Sequence, residues 1–260
     1  MSLNGTTWTP IGPSPIDQGG ITANGQVTAI AVNPNNPNII YIGTAWGGIW
    51  HTRNGGGTWI PIFDRAPALG IGEPAGLAID PVDTNIIYAG TSNRDGSQFS
   101  GESTQPSAGL FKSTDGGFSW VRLGSGYPSN APSNANIFFG SVINIVIVDP
   151  ANHQTVYLAC NGGLYVSHDG GLNWTRGTAP SGDVRSLQLD MTSPPGARIL
   201  YAGITGNGVF RSNNGGQTWT SILSGTTSVL ANELNTAGTP GPARSAGKFI
   251  SALAPPTSPA

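Results

Sequence analysis

The sequence predicts an all-β chain built from a repeated four-stranded antiparallel unit, and three observations predict it. One eight-residue stretch, Thr52-Arg53-Asn54-Gly55-Gly56-Gly57-Thr58-Trp59, is written again as Ser113 to Trp120, Ser167 to Trp174 and Ser212 to Trp219. The apolar segments upstream of each copy match in order and in spacing. Finally, 39 Gly and 21 Pro in 260 residues would interrupt any long helix but suit short strands joined by turns.

Each copy of the stretch reads hydroxyl, any residue, Asp or Asn, Gly-Gly, any residue, a small polar residue, then Trp. The residues Asn54, Asp115, Asp169 and Asn214 are expected to close an Asx-type turn onto amides two residues on, and the Gly pair to supply the positive φ of a tight hairpin. Trp59, Trp120, Trp174 and Trp219 then open the following strand and bury a large ring. A turn repeated in register implies a repeated fold unit.

The units follow in order. The first, about residues 27–63, runs through Val27 to Val32, Ile39 to Thr44 and Gly48 to His51 before its turn. The second, 74–124, gives Ala75 to Ile79, Ile86 to Thr91 and Leu110 to Lys112. The third, 142–177, gives Val142 to Val148, Val156 to Ala159 and Leu164 to Val166. The fourth, 184–223, gives Val184 to Leu189, Ile199 to Gly203 and Val209 to Arg211. Four strands per unit, repeated in tandem, describe the blades of a β-propeller. Thr7-Trp8-Thr9-Pro10-Ile11 matches the outermost strand of a blade, and Phe249 to Ala254 matches an innermost one. The stretch 224–248 reads as a loop. The expected ring is therefore incomplete, its missing blades coming from the rest of a longer chain or from another chain.

In such a blade the turns between strands one and two and between strands three and four share one rim, here the lower. The loops between strands two and three and between blades lie on the upper rim. Tyr41 and Trp59 are separated by 18 residues, as are Tyr201 and Trp219, against 32 for Tyr88 and Trp120. The additional residues, within Ser92 to Gly109, extend the upper rim, and variable loops on a regular scaffold are where binding concentrates.

The chain has 37% hydrophobic and 9% charged residues with a formal charge of −2, so its composition is that of a core-forming domain. No basic cluster marks a nucleic-acid partner. No run is long enough to insert in a membrane. The single Cys160 is expected as a buried strand-end side chain, and the three His occupy unrelated contexts, so neither a metal nor any cofactor is expected. The first residues have neither a cationic region nor an apolar core, so a leader peptide is absent from this stretch. Asn173-Trp174-Thr175 fits a glycosylation acceptor, but the turn already explains those residues.

These turns resemble the Asp-box, or bacterial neuraminidase repeat, of sialidases, sortilin-type domains and secreted bacterial propellers. The wider pattern, from Trp8-Thr9-Pro10-Ile11-Gly12-Pro13 to Gly47-Gly48-Ile49-Trp50-His51-Thr52, is similar to the propellers called sialidase-like, sortilin-like or glycosyl-hydrolase-like. The resemblance covers about residues 6–254 and implies a ring of about six to eight blades, within the range of known propellers. It also implies an extracellular or periplasmic location. It says little of activity, because fold and chemistry separate readily.

A sialidase of this kind would use three arginines on the substrate carboxylate, one of them in a Phe/Tyr-Arg-Ile-Pro run, with a Tyr/Glu nucleophile pair and an acid Asp. No such run is present, and Arg53, Arg122, Arg176 and Arg211 all lie beside the repeated turns, where solvated lower-rim or edge positions are expected. The similar xyloglucanases place a catalytic Asp in an Asp-Ile-Gly-Gly run after the second strand, where this chain reads Ala45-Trp46-Gly47-Gly48. A methyl group is no general base. Trp46 is either an upper-rim stacking platform or an aromatic plug of the channel.

Arg65, Arg94 and Phe99 complete the candidate binding residues. Asp64, Glu73, Asp95 and Glu102 are the carboxylates available if the chain were instead a glycosidase, which works with two. The sequence thus favours a secreted, non-catalytic binding or scaffold propeller that recognises a carbohydrate or protein surface through its upper rim. A glycoside hydrolase with unusual carboxylates and a structural repeat of a larger surface protein are the alternatives.

Overall fold

The computed structural model of the chain describes residues 16–17, 22–23, 26–45, 47–64, 70–73, 75–92, 107–124, 137–138, 140–179 and 181–224. After a two-residue ladder between β1 (Ile16–Asp17) and β2 (Thr22–Ala23), sixteen strands form four antiparallel sheets, each a meander in chain order. Blade 1 is β3 (Val27–Val32), β4 (Ile40–Thr44), β5 (Ile49–Thr52) and β6 (Ile60–Pro61). Blade 2 is β7 (Leu77–Ile79), β8 (Ile87–Gly90), β9 (Leu110–Ser113) and β10 (Val121–Arg122). Blade 3 comprises β11 (Ile143–Val148), β12 (Val156–Cys160), β13 (Gly163–Ser167) and β14 (Thr175–Arg176). Blade 4 comprises β15 (Val184–Leu189), β16 (Leu200–Ile204), β17 (Gly208–Ser212) and β18 (Thr220–Ser224).

The second strands read as almost unbroken apolar runs because neighbours cover both of their faces: every residue of β8 and of β12 is buried. Three apolar clusters form the core, and each spans a joint between consecutive blades. Tyr41, Ile49 and Phe63 of blade 1 meet Leu77, Ile87 and Phe111 of blade 2. Tyr88, Leu110 and Leu123 of blade 2 meet Val146, Val156 and Leu158 of blade 3. Tyr157, Leu164 and Val166 of blade 3 meet Leu187, Leu200 and Phe210 of blade 4. The innermost strands β3, β7, β11 and β15 neighbour one another in series. This is the radial arrangement of a propeller, and among the described residues it forms an open arc, with no cluster joining blade 4 to blade 1.

Polar contacts lock the same joints. The Tyr41 hydroxyl donates to the Gly116 carbonyl of the next blade (3.2 Å), and Tyr88 donates to that of Gly170 (3.0 Å). On the lower rim Asp80 meets His153 (3.0 Å), and the buried Arg198 clasps both oxygens of the buried Asp149 (2.7 and 2.8 Å).

The repeated turns are superimposable in their bonding, but they close differently from the Asx turn the sequence suggests. In blade 2 the Ser113 hydroxyl donates to Asp115 Oδ1 (2.7 Å) and accepts the Gly117 amide (2.8 Å), while Asp115 Oδ1 accepts the amide of Ser119, four residues on (2.9 Å). Thr52/Asn54/Thr58, Ser167/Asp169/Asn173 and Ser212/Asn214/Thr218 repeat the pattern. The side chain thus spans the whole Gly-Gly loop, whose two glycines take φ near 70° and 90° in every copy. The indoles are half-buried instead of engulfed, because each of Trp120, Trp174 and Trp219 turns its N–H to the carbonyl of the second glycine (2.9 Å) at the edge of the blade.

Candidate functional site

With the glycine turns occupying the lower rim, the ends of the innermost strands meet the inter-blade loops on the upper rim. There three of the four innermost strands carry a register shift: between Val27 and Ala29, between Ile143 and Ile145, and between Val184 and Ser186. The residues left at these bulges are Thr28, Asn144 and Arg185. A bulge re-aims a side chain that the regular pleat would have placed on one sheet face, and it recurs beside binding sites for that reason.

Asn144 is wholly buried. Its amide nitrogen donates across the joint to Asp183 Oδ1 (2.9 Å) and to the Val184 carbonyl (2.7 Å), whereas its Oδ1 has no partner among the described residues. Arg185 Nε donates to the other Asp183 oxygen (2.6 Å) in a pair that keeps 32% and 25% of its side-chain surface. The Thr28 hydroxyl, at the same bulge in blade 1, is likewise buried without a partner. The Ala75 amide donates to the Asn144 carbonyl (3.1 Å), which brings the loop of Glu73 alongside.

The cluster therefore offers an anchored carboxylate and a partly exposed guanidinium at the meeting point of blades 3 and 4, while the unpartnered Asn144 oxygen is itself buried. Such a mixed set suits the hydroxyls of a sugar or the polar groups of a protein loop. Cys160, at the upper end of β12, adds no nucleophile: burial pushes its thiol up to about 11 against the pull of the Gly162 and Gly163 amides.

Among the sequence candidates, Asp64 and Glu73 are exposed, the first after β6 and the second before β7. Trp46, Arg65, Arg94, Asp95, Phe99 and Glu102 lie outside the described residues. Ala45 directly follows blade 1's second strand, its amide bonded to the Gln26 carbonyl (3.0 Å). Arg53 does sit at a lower-rim turn, its guanidinium over the Phe118 ring of the next blade (5.4 Å). Arg176 takes an exposed edge position: opposite Tyr165 in the short outermost strand β14, it is long enough to donate to the Gly162 carbonyl (3.2 Å).

Asn144, Asp183 and Arg185 were missed by the sequence reading. The available signal was a lone polar side chain interrupting an apolar run, Val142-Ile143-Asn144-Ile145-Val146, and its counterpart Val184-Arg185-Ser186-Leu187. Among the described residues no group of three His, Cys, Asp or Glu could hold a metal ion, and no helix is long and apolar enough to cross a membrane.

No protein-family model matches the chain, and no curated protein matches it at a significant level. Solved structures do. An ancestral GH74 enzyme is similar with a TM-score of 0.61 at 21% identity, over 84% of this chain and 26% of that one. The GH74 xyloglucanase of Xanthomonas campestris follows with a TM-score of 0.53 at 18% identity, over 76% and 30%. The extracellular domain of BT4673 from B. thetaiotaomicron, described as a hybrid two-component system, gives 0.54 at 18%, over 82% and 24%. The chain thus spans less than a third of these proteins. At such identities the likeness establishes the class, an all-β propeller-type fold of tandem four-stranded blades, and nothing of activity.

Proposed function

We propose that the chain is a non-catalytic binding or scaffold propeller that engages a glycan or protein surface through its upper rim, outside the cytoplasm. The observation that carries this reading is the Asn144–Asp183–Arg185 cluster, in which Asp183 holds two fixed donors while the Asp183 and Arg185 side chains keep part of their surface on the rim. A carboxylate engaged on both oxygens orients neighbours well and is badly placed to shuttle protons through a glycosidic bond. The Ala45 methyl directly after β4 and the extracellular domain among the similar folds support the same reading. Trp46 would add a stacking surface beside the rim.

The test is binding to a broad panel of polysaccharides and glycans, with Arg185→Ala and Trp46→Ala alongside the parent chain. Retention of at least one glycan, weakened at least tenfold by either substitution, is the expected result. A panel with no binder, or a binder indifferent to both substitutions, contradicts it.

A further inference from the structure

An Asn followed by Gly is open to attack on its own carboxamide, because no Cβ crowds the glycine nitrogen that makes the attack. Among the described residues the pair occurs at Asn54, Asn161, Asn207 and Asn214. The reaction needs a glycine amide that can give up its proton, a polarised carboxamide and a nitrogen that can leave. The four sites meet these needs unequally.

At Asn54 and Asn214 both nitrogens are engaged. The Gly55 amide donates to the Asn38 carbonyl and the Gly215 amide to the Arg198 carbonyl, each at 2.9 Å. The carboxamide nitrogens donate to Thr58 Oγ1 (3.1 Å) and Thr218 Oγ1 (2.7 Å). At Asn207 the carboxamide nitrogen donates to the Ser181 carbonyl (3.2 Å), and Gly208 lies in β17, paired on both sides.

Asn161 and Gly162 stand exposed in the upper-rim turn between β12 and β13. The Gly162 amide donates to Cys160 Sγ (3.3 Å), and a thiol sulfur accepts only weakly. Asn161 Oδ1 accepts the Val142 amide (3.1 Å), a fixed donor aimed at the oxygen on which negative charge develops. Its Nδ2 has no partner among the described residues. Arg176 donates to the Gly162 carbonyl through Nε and Nη2 (3.3 and 3.2 Å), so a cation lies beside the amide nitrogen that must become negative. Asp183 opposes it, since after burial it adds to the upward push on the neighbouring Cys160 thiol, but the charge bonded to the turn is that of Arg176.

We propose that Asn161–Gly162 is a site of spontaneous covalent self-modification, at which the asparagine becomes an acid and adds a negative charge to the upper rim. The Gly162 nitrogen gives up its proton and bonds to Asn161 Cγ, the Cγ–Nδ2 bond breaks, and Nδ2 leaves as ammonia with that proton. Water then opens the cyclic imide at either of its carbonyls, leaving aspartate or isoaspartate. Aspartate keeps an oxygen for the Val142 amide, whereas isoaspartate lengthens the main chain and shifts the turn out of register with Val142.

The local sequence cannot itself favour Asn161, because Asn54, Asn161 and Asn214 are all followed by Gly-Gly. The test incubates the full folded chain at pH 8 for days and follows acid formation at each asparagine by peptide mass mapping. Asn161 is expected to convert about tenfold faster than Asn54 and Asn214, and the difference to disappear in urea. Gly162→Ala should slow the conversion about tenfold by crowding the nitrogen. Its Cβ would stand at ordinary contact distance, 3.5 Å from Cys160 Sγ, so the fold is kept, and circular dichroism checks that it is. Arg176→Gln should slow the conversion, and Arg176→Lys, which retains the charge, should restore it. A folded chain in which Asn161 converts no faster than Asn54 and Asn214 overturns the proposal, as does an advantage that persists in urea or a Gly162→Ala chain that converts at the parent rate. Equal rates in the Gln and Lys variants overturn the part given to Arg176.

Discussion

Tyr88 and Gly170 stand 82 residues apart in the chain, and the hydroxyl of the first donates to the carbonyl of the second at 3.0 Å across the joint of blades 2 and 3. The tyrosine is buried, and its own pKa is pushed well above the ordinary tyrosine value, first by burial and then by Asp80 and Asp169, so it remains a donor across the whole working pH range. Removing the hydroxyl in Tyr88→Phe leaves the ring packing intact, and Gly170 keeps its bond from Lys112. The expected loss is about 1 kcal/mol, read as a lower urea midpoint.

The Arg198–Asp149 pair fixes the next joint from below. Both groups are buried, so Arg198→Ala leaves an uncompensated carboxylate and should cost about 3–5 kcal/mol. Replacing both partners with apolar residues, Asp149→Leu with Arg198→Met, should cost much less, and a double-mutant cycle in urea measures the difference.

Acid sensitivity follows from the turns. Ser119, through its hydroxyl and amide, holds the Asp115 carboxyl down to about 2. At Asp149 burial pushes the carboxyl up, but the Arg198 bonds and the Ala151 and Asn152 amides outweigh it and leave the group below its ordinary value. A depressed folded value means that the contribution is complete above the unfolded carboxylate value near 4 and disappears as pH falls toward about 2. The urea midpoint should therefore decline over that window. Asp115→Asn should shallow the decline without unfolding the turn, since Asn54 and Asn214 already fill the same place.

The second turn glycine is a packing residue as well as a hinge. Gly117 has φ 95°, and a Cβ there would come within 2.5 Å of Ile62 in the preceding blade. Gly140 has φ 77° with open space around it. Gly140→Ala should cost about 1–2 kcal/mol of backbone strain alone. Gly117→Ala should cost at least about 1 kcal/mol more through overpacking. Thermal unfolding of the two variants separates these effects.

Cys160 provides an internal reporter. Buried, with its thiol pushed up to about 11, it should resist alkylation at pH 8 in the folded chain and react fully on unfolding. Prompt labelling under native conditions would show blade 3 opening locally.

The blades could be read from the chain because their signals are local: a Gly-Gly turn needs positive φ wherever it occurs, and a strand covered on both faces needs an apolar run. The site is a different kind of object. Asn144 and Arg185 matter because a one-residue register shift turns them, and because Asp183 lies one residue before a strand that packs beside β11. Neither relation is encoded at fixed spacing, so a lone Asn in an apolar strand does not by itself name its partners. The Asp-to-amide bonding differs from the Asx turn for a related reason: the side chain reaches four residues on because the preceding hydroxyl both donates to it and holds the amide of the second glycine.

The central claim is that the upper rim holds a ligand without cleaving it. Its most direct test follows new reducing ends over hours while the chain is saturated with a polysaccharide it retains. Constant reducing-end content with binding that falls on Arg185→Ala is the predicted result. Steady release of reducing ends, abolished by Asp64→Asn, Glu73→Gln or Asp183→Asn in a folded chain, would contradict it.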